Sequence, residues 1–280
     1  MLEVPELFDT PRWVSPLPDG TDQPPWIREK RLGYWRLVGI IDRGGFGEVF
    51  LAVDTIGNFR ALKVFTPASE EEHRAFDLEF GGMFLVKTAF DGGHHTVPIE
   101  SVDTAEHCVY YAMPLADALG SDPYVPHTLN NRIRRNDLDE AELLKVAASV
   151  LDALSYIHGK GLVHRDVKPG NILKIKGEWC LGDPGLISPR RPTRFAGTPG
   201  FYIENKHHRA DETDDLYALG KTLYCAATGM AADKYPIFPD HYDWNRYPAL
   251  LQLYLRAVDG EYRSADEMKK DAEHPERLFR

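Results

Sequence analysis

From Tyr34 to about Met113 the chain reads as a succession of short apolar runs, YWRLVGII, EVFLAV and FRALKVF, rich in β-branched and aromatic residues. Asp54 to Asn58 supply turn residues between the last two runs, so the pattern predicts a strand meander. Ser69 to Lys87 is richer in helix formers, and TVPIESV followed by HCVYYAM returns to strand character. After Pro114 the period changes. Asp139 with Glu142 three residues on is a helix-start signal, and Leu143, Leu144, Ala147, Val150, Leu151, Leu154 and Ile157 follow at helical spacing. Further helices are predicted at about Asp214 to Thr228, Tyr247 to Val258 and Ala265 to Ala272, and ILKIKGEWCLGD reads as a hairpin. A sheet-rich front third followed by a helical remainder predicts an α+β chain with two lobes of unlike structure, joined near Pro114 to Asp117, and a cleft between lobes is the default ligand site.

The segment before the first strand behaves differently. Residues 1–26 hold six of the chain's 20 prolines and show no sustained period, which predicts an irregular arm. Its Phe8, Trp13 and Trp26 can pack on the body of the protein or on a partner.

Composition narrows the function classes. Across 280 residues, 43% apolar and 27% charged is the balance of a globular protein, which excludes wholesale disorder and coiled coil. The net charge of −10 disfavours a general nucleic-acid or anionic-membrane surface, so any phosphate site must be local. Cys108, Cys180 and Cys225 lie far apart with no C-x-x-C pair, which argues against a disulfide framework or a zinc site and for a reducing compartment. The opening residues lack the basic and apolar stretches of a signal peptide, and no apolar run reaches the length of a membrane span, so the expectation is a cytoplasmic chain without a span. His94-His95 and His207-His208 have no acidic or cysteine partner at ligand spacing and read as surface histidines.

Three motifs carry chemistry. In IDRGGFGEVF, Gly44-Gly45-Phe46-Gly47 sits between two strand patterns, where a glycine turn can bring backbone N–H groups toward a polyanion or can simply close a hairpin. In ALKVF, Lys63 lies inside an apolar strand, a place where most lysines merely reach solvent. In HRDVKPGN, a carboxylate (Asp166), an ammonium (Lys168) and a carboxamide (Asn171) crowd into one loop, and Pro169-Gly170 keeps a regular helix from separating them. Asp183 closes the following hairpin with another acid.

In this order the motifs resemble those of the protein kinase family, in particular the bacterial serine/threonine kinases of eukaryotic (Hanks) type, from about Tyr34 to Met268. The resemblance implies a bilobal kinase fold over 34–275, with an N-lobe at about 34–113, a hinge at 114–117 and a C-lobe at 118–275, after a 1–33 arm. It implies an ATP- and magnesium- or manganese-dependent transfer of γ-phosphate to a protein substrate's serine or threonine hydroxyl. Gly44, Gly47 and Val49 would cover ATP, Lys63 would hold its α- and β-phosphates, and Glu79 would pair with Lys63. Met113 would be the gatekeeper, the Pro114 carbonyl and Ala116 backbone would meet the adenine edge, and Ala61 and Leu173 would sandwich the base. Asp166 would accept or orient the hydroxyl proton, Lys168 would neutralise the moving phosphoryl group, and Asn171 and Asp183 would bind the metal ions. Lys168 and Thr198 in GTPGF mark serine/threonine specificity, and Asp215 would anchor the catalytic-loop backbone. Arg165 would grip a phosphorylated Ser188 or Thr193 in a loop that also holds Arg190, Arg191 and Arg194.

Four departures stand against that pattern. Asp42 replaces the first glycine of the loop, Pro184 replaces the phenylalanine of D-F-G, Ile203-Glu204-Asn205 replaces A-P-E (with Glu204 facing Arg263 only if one residue is deleted), and Gly229 to Tyr247 is short. The first three support an alternative reading, a pseudokinase or nucleotide-gated scaffold, and a small-molecule phosphotransferase of related fold is a further rival.

Overall fold

The computed structural model describes residues 15–20, 23–44, 47–66, 87–105, 108–120, 124–190, 197–203 and 210–279. The helix expected over Ser69 to Lys87 therefore falls almost wholly outside the described residues, as do Phe8, Trp13, Glu79, Glu204, Asn205, His207 and His208. Two compact units emerge, one drawn from residues up to 87 and Pro98–Pro126, the other from Thr88–Val97 and residues 127 onward. The first is rich in strand and the second in helix, the α+β division that the change of hydrophobic period predicts. Among the described residues no helix is long and apolar enough to cross a membrane.

The first unit is a six-stranded antiparallel sheet, in the order β1-β2-β3-β4-β6-β5. Its strands are β1 (Arg31–Leu32), β2 (Trp35–Gly44), β3 (Gly47–Val53), β4 (Phe59–Phe65), β5 (Ser101–Ala105) and β6 (Cys108–Met113). Register sorts the side chains into two faces because successive residues of a strand point to opposite sides. Leu37, Ile40, Phe50, Ala52, Leu62, Val64, Tyr110 and Ala112 form the larger core. The proline-rich segment closes that face: Leu17, Trp26, Ile27 and Leu32 are buried in the same cluster, and Trp26 meets Phe50 edge-on with centroids 5.6 Å apart. Ser15 pairs with Ile40 through two backbone hydrogen bonds of 3.0 and 2.8 Å, and Pro25 opens the short helix α1 (Pro25–Arg28) where its missing N–H costs nothing. From Ser15 on, the described part of this segment is thus built into the sheet.

TVPIESV is not one strand. Only Ser101 onward joins the sheet, while Thr96 bridges Leu181 of the second unit's own hairpin. Pro98 explains the break, since it has no N–H to give a ladder.

The second unit is built on α3 (Glu140–Gly159), capped by Asp139, whose side chain accepts from Glu142 N–H at 2.8 Å as the sequence predicts. The unit's other helices are α2 (Leu129–Arg135), α4 (Glu212–Thr228), α5 (Pro248–Val258) and α6 (Ala265–Glu273). Asp211 and Asp214 form a reciprocal capping box at the start of α4, and Glu140 Oε1 accepts from Ala249 and Leu250 N–H to cap α5 from another helix. Two short ribbons complete the unit: β8 (Ile172–Ile175) with β9 (Glu178–Leu181), the expected hairpin, and β7 (Leu162–Val163) with β10 (Ser188–Pro189). Thr88–Val97 is tied to this unit by Tyr156, whose hydroxyl donates to Asp91 at 2.8 Å and whose ring stacks on His94 at 4.4 Å, and by Val97 N–H to the Leu181 carbonyl at 2.9 Å. Trp26→Ala should remove a buried anchor of the sheet at a cost of about 3–5 kcal/mol; a urea midpoint equal to wild type would show that the strap is only laid on the surface.

Candidate active site

Four site residues on the strands of the first unit share one sheet face. The pairs Val49↔Lys63, Lys63↔Tyr111, Leu51↔Ala61 and Ala61↔Met113 are in register, so Val49, Ala61, Lys63 and Met113 project from the face opposite the strap, beside the smaller cluster of Val38, Leu51, Val53 and Leu115. Lys63 is buried, with Nζ 5.4 Å from the centre of the Phe65 ring. Gly44 and Gly47 pair at the end of the β2–β3 hairpin, and Gly45 and Phe46 between them lie outside the described residues. Gly47 has φ +118°, and a β-carbon there would stand 2.4 Å from the Val64 carbonyl oxygen, so the hairpin end requires glycine twice over. Asp42 is exposed and turns its carboxylate onto the next backbone N–H, that of Arg43, at 2.8 Å.

The connector after Met113 has an uneven hydrogen-bond inventory. Tyr124 returns on a small hairpin, with Leu119 N–H donating to the Val125 carbonyl at 2.8 Å, and its hydroxyl donates to the Ala116 carbonyl at 2.8 Å. Among the described residues, the Pro114 carbonyl and the N–H of Ala116, a buried residue, have no hydrogen-bond partner. A buried backbone donor without a partner is uncommon and points to a ligand or water.

In the second unit the crowded loop is held from behind by Asp215 on α4. This carboxylate is 1% exposed and accepts three hydrogen bonds: His164 N–H at 2.8 Å, Arg165 N–H at 2.7 Å and His158 Nε2 at 2.8 Å. Burial alone pushes the carboxyl upward, but the bond and charge of His158, with His164, hold it below the usual carboxylate range. The two backbone bonds keep Arg165 at φ +71°, a left-handed conformation that a side chain of its size rarely adopts. His164 is fixed as well. Its Nδ1 accepts from Asp166 N–H at 3.3 Å, so the proton sits on Nε2, which donates to the Gly182 carbonyl at 3.0 Å.

This framework gathers four side chains. Asp166 is buried and accepts at Oδ1 from Thr198 Oγ1 at 2.6 Å, and at Oδ2 from Asn171 Nδ2 at 2.9 Å and Lys168 Nζ at 2.9 Å. Lys168 Nζ also donates to Thr198 Oγ1 at 2.8 Å. Asn171, in the turn Pro169–Asn171, directs Nδ2 at both the carboxylate and the backbone carbonyl of Asp166, which leaves Oδ1 without a partner among the described residues. Asp183 has φ +58°, and Pro184 occupies the first position of the turn Pro184–Leu186, whose end is closed by Ile187 N–H on the Pro184 carbonyl at 2.9 Å. Proline's fixed φ and absent N–H suit that position, so the replacement of phenylalanine leaves the turn intact. At Gly182, just before, a β-carbon would lie 2.8 Å from Leu173 Cδ1 and 3.1 Å from Val97 Cγ2, so a side chain there would force those neighbours to shift. An oxygen set of one carboxylate and one carboxamide suits a hard cation that draws its remaining ligands from phosphate and water, and so fits magnesium.

Arg165 Nη1 reaches the Leu186 carbonyl and Ser188 Oγ, each at 3.3 Å, and Arg190 donates to the His158 carbonyl at 2.9 Å and pairs with Glu212. Arg191, Thr193 and Arg194 lie outside the described residues. Two contributors had no local signal in the sequence. His158 is 57 residues from the carboxylate it orients, its only mark being a polar ring on the apolar stripe of α3, and Tyr124 belongs to none of the motifs quoted above.

The geometry agrees with the comparisons. The description "protein kinase domain" matches residues 35–272, and the chain belongs to that family. It is 30% identical over 214 residues to the serine/threonine-protein kinase AfsK of Streptomyces griseus, covering 72% of this chain and 25% of that one. It is 34% identical over 204 residues to the serine/threonine-protein kinase PknK of Mycobacterium tuberculosis, covering 69% and 17%. To the interferon-induced, double-stranded RNA-activated protein kinase of Rattus norvegicus it is 26% identical over 262 residues, covering 82% and 50%. The chain thus spans half or less of the length of each of these relatives.

Asp215→Asn should lose the acceptor of one of the two backbone bonds, together with the charge, and destabilise the fold by about 2–4 kcal/mol at neutral pH. Because the folded carboxyl is held low, the wild type's advantage is complete above the unfolded carboxyl range and shrinks as pH falls below about 4. Denaturation of both proteins at pH 7 and pH 3 checks this, and a gap that widens in acid contradicts it.

Proposed function

We propose that this chain is an ATP- and magnesium-dependent protein serine/threonine kinase. The observation that carries the reading is the Asp166–Lys168–Thr198–Asn171 cluster, an anionic acceptor with an ammonium within 2.9 Å and a hydroxyl already docked on it. An incoming serine or threonine hydroxyl takes the place that Thr198 marks, donating to Asp166, which orients its lone pair for attack and receives its proton. Lys168, already shared between carboxylate and hydroxyl, follows the charge that passes to the transferred phosphoryl oxygens. Lys63 holds the α- and β-phosphates, with Glu79 as its partner, and the backbone at Gly44 and Gly47 covers them. Val49, Ala61 and Leu173 enclose the base, Met113 bounds it, and Pro114 and Ala116 read its edge. Asn171 Oδ1 and Asp183 hold magnesium, which when bound spreads the negative charge of the phosphates. No covalent enzyme intermediate is needed, since positioning and electrostatics supply the rate. Ser188, beside Arg165, is a candidate for phosphate on this segment.

Transfer of labelled γ-phosphate to the protein itself and to a basic protein substrate tests this. Asp166→Asn should lower the rate by about 10³-fold while ATP still raises the melting temperature. ATP stabilisation without transfer in the wild type would favour the nucleotide-gated scaffold suggested by Asp42 and Pro184, and neither response would overturn both readings.

A further inference from the structure

Arg190, seven residues after Asp183, is bound through its backbone and through a single side-chain nitrogen. Its N–H donates to the Gly161 carbonyl at 3.2 Å, beside the β7–β10 ribbon. Its Nη2 donates to the His158 carbonyl at 2.9 Å, in the last turn of α3, and pairs with the carboxylate of Glu212, in the first turn of α4. That nitrogen carries two hydrogens, so it ties the end of one helix to the start of the other. Both charges stand where helix dipoles favour them, a cation at a C-terminus and an anion at an N-terminus.

The same two helix ends hold the support of the Asp166 loop. Glu212 and Asp215 are three residues apart on α4 and so lie on one face of it. His158, whose carbonyl takes Arg190, meets Asp215 through its ring Nε2 at 2.8 Å. Its other ring nitrogen, Nδ1, is buried without a hydrogen-bond partner among the described residues, so Asp215 alone bonds to the ring. The spacing of the two helix ends therefore sets how well that bond is made, and Asp215 passes the result to the His164 and Arg165 N–H groups.

We propose that Arg190 is a positioning residue for the reaction: by clamping the end of α3 to the start of α4 it keeps the His158–Asp215 bond closed, and so couples the segment after Asp183 to the loop that carries Asp166. The inference rests on the kinase reading given above. A segment that leaves the ribbon takes the guanidinium with it and opens the clamp. The Arg190 side chain is 49% exposed, and an ion pair so exposed adds little to global stability, so its effect is local.

The experiment compares the full chain with Arg190→Met, which keeps the stem and removes the donors, and with Arg190→Lys, which restores charge and donors. The backbone bond to Gly161 is open to all three. Amide hydrogen exchange, kcat, KM for ATP and the melting temperature are measured. In Arg190→Met, exchange at His164 and Arg165 should quicken about tenfold while α6 stays as in wild type, and kcat should fall about tenfold with KM for ATP within about twofold. The melting temperature should fall by no more than about 3 °C, and Arg190→Lys should recover most of the loss. Unchanged exchange at the loop, or a rise shared equally by α6, overturns the clamp. Local loosening with an unchanged kcat overturns its part in the reaction. Local loosening in a chain whose wild type transfers no phosphate leaves the clamp standing and overturns the kinase reading instead.

Discussion

A single buried carboxylate organises the helical unit. Asp215 accepts from two successive backbone N–H groups and from a histidine, and the loop from His164 to Asn171 takes its course from that grip. Arg165 is held left-handed, Asp166 is turned inward, and Asn171 can then reach back to it with both amide hydrogens. A buried charge of this kind is tolerated only because every donor is in place, and hydrogen bonds to a charged acceptor are each worth about 1.5–3 kcal/mol. The geometry of the loop that carries Asp166, Lys168 and Asn171 is thus supported from α4.

The sheet unit solves the corresponding problem by register. Lys63, an ammonium inside an apolar strand, belongs to the same face as Val49, Ala61 and Met113 because antiparallel pairing puts cross-strand partners side by side. The other face is given over to packing, and the strap that supplies Trp26 and Leu17 makes it thick enough to do so. One face is closed by the strap and the other carries Lys63, so a slip of one residue in β3 or β4 would exchange the two.

What the sequence made legible follows from how local each signal is. The long helix with its Asp139 cap, the β8–β9 hairpin and the crowding of Asp166, Lys168 and Asn171 are all set within a few residues, and each could be read directly. The break at Pro98 was misread because the strand character of TVPIESV outweighed one missing donor. The partnership of His158 with Asp215 and the return of Tyr124 to Ala116 depend on chain reversals that no periodicity encodes. The strap looked irregular because prolines set its path, yet its widely spaced tryptophan and leucines are core residues, a pattern that hydrophobic period does not detect.

The placement of Thr88–Val97 has a consequence for how the chain acquires its structure. This stretch belongs to the helical unit although it lies between β4 and β5 of the sheet, so the polypeptide leaves the sheet unit, returns to it and leaves again. Neither unit is a continuous run of sequence, and no single cut releases one of them whole. The outer strands β6 and β5 join β4 only after a detour through the other unit's residues, which raises the loop-closure entropy of that pairing and makes it a late event in folding. Co-translational folding of the sheet ahead of the rest is therefore disfavoured, and the two units are expected to gain and lose structure as one cooperative system.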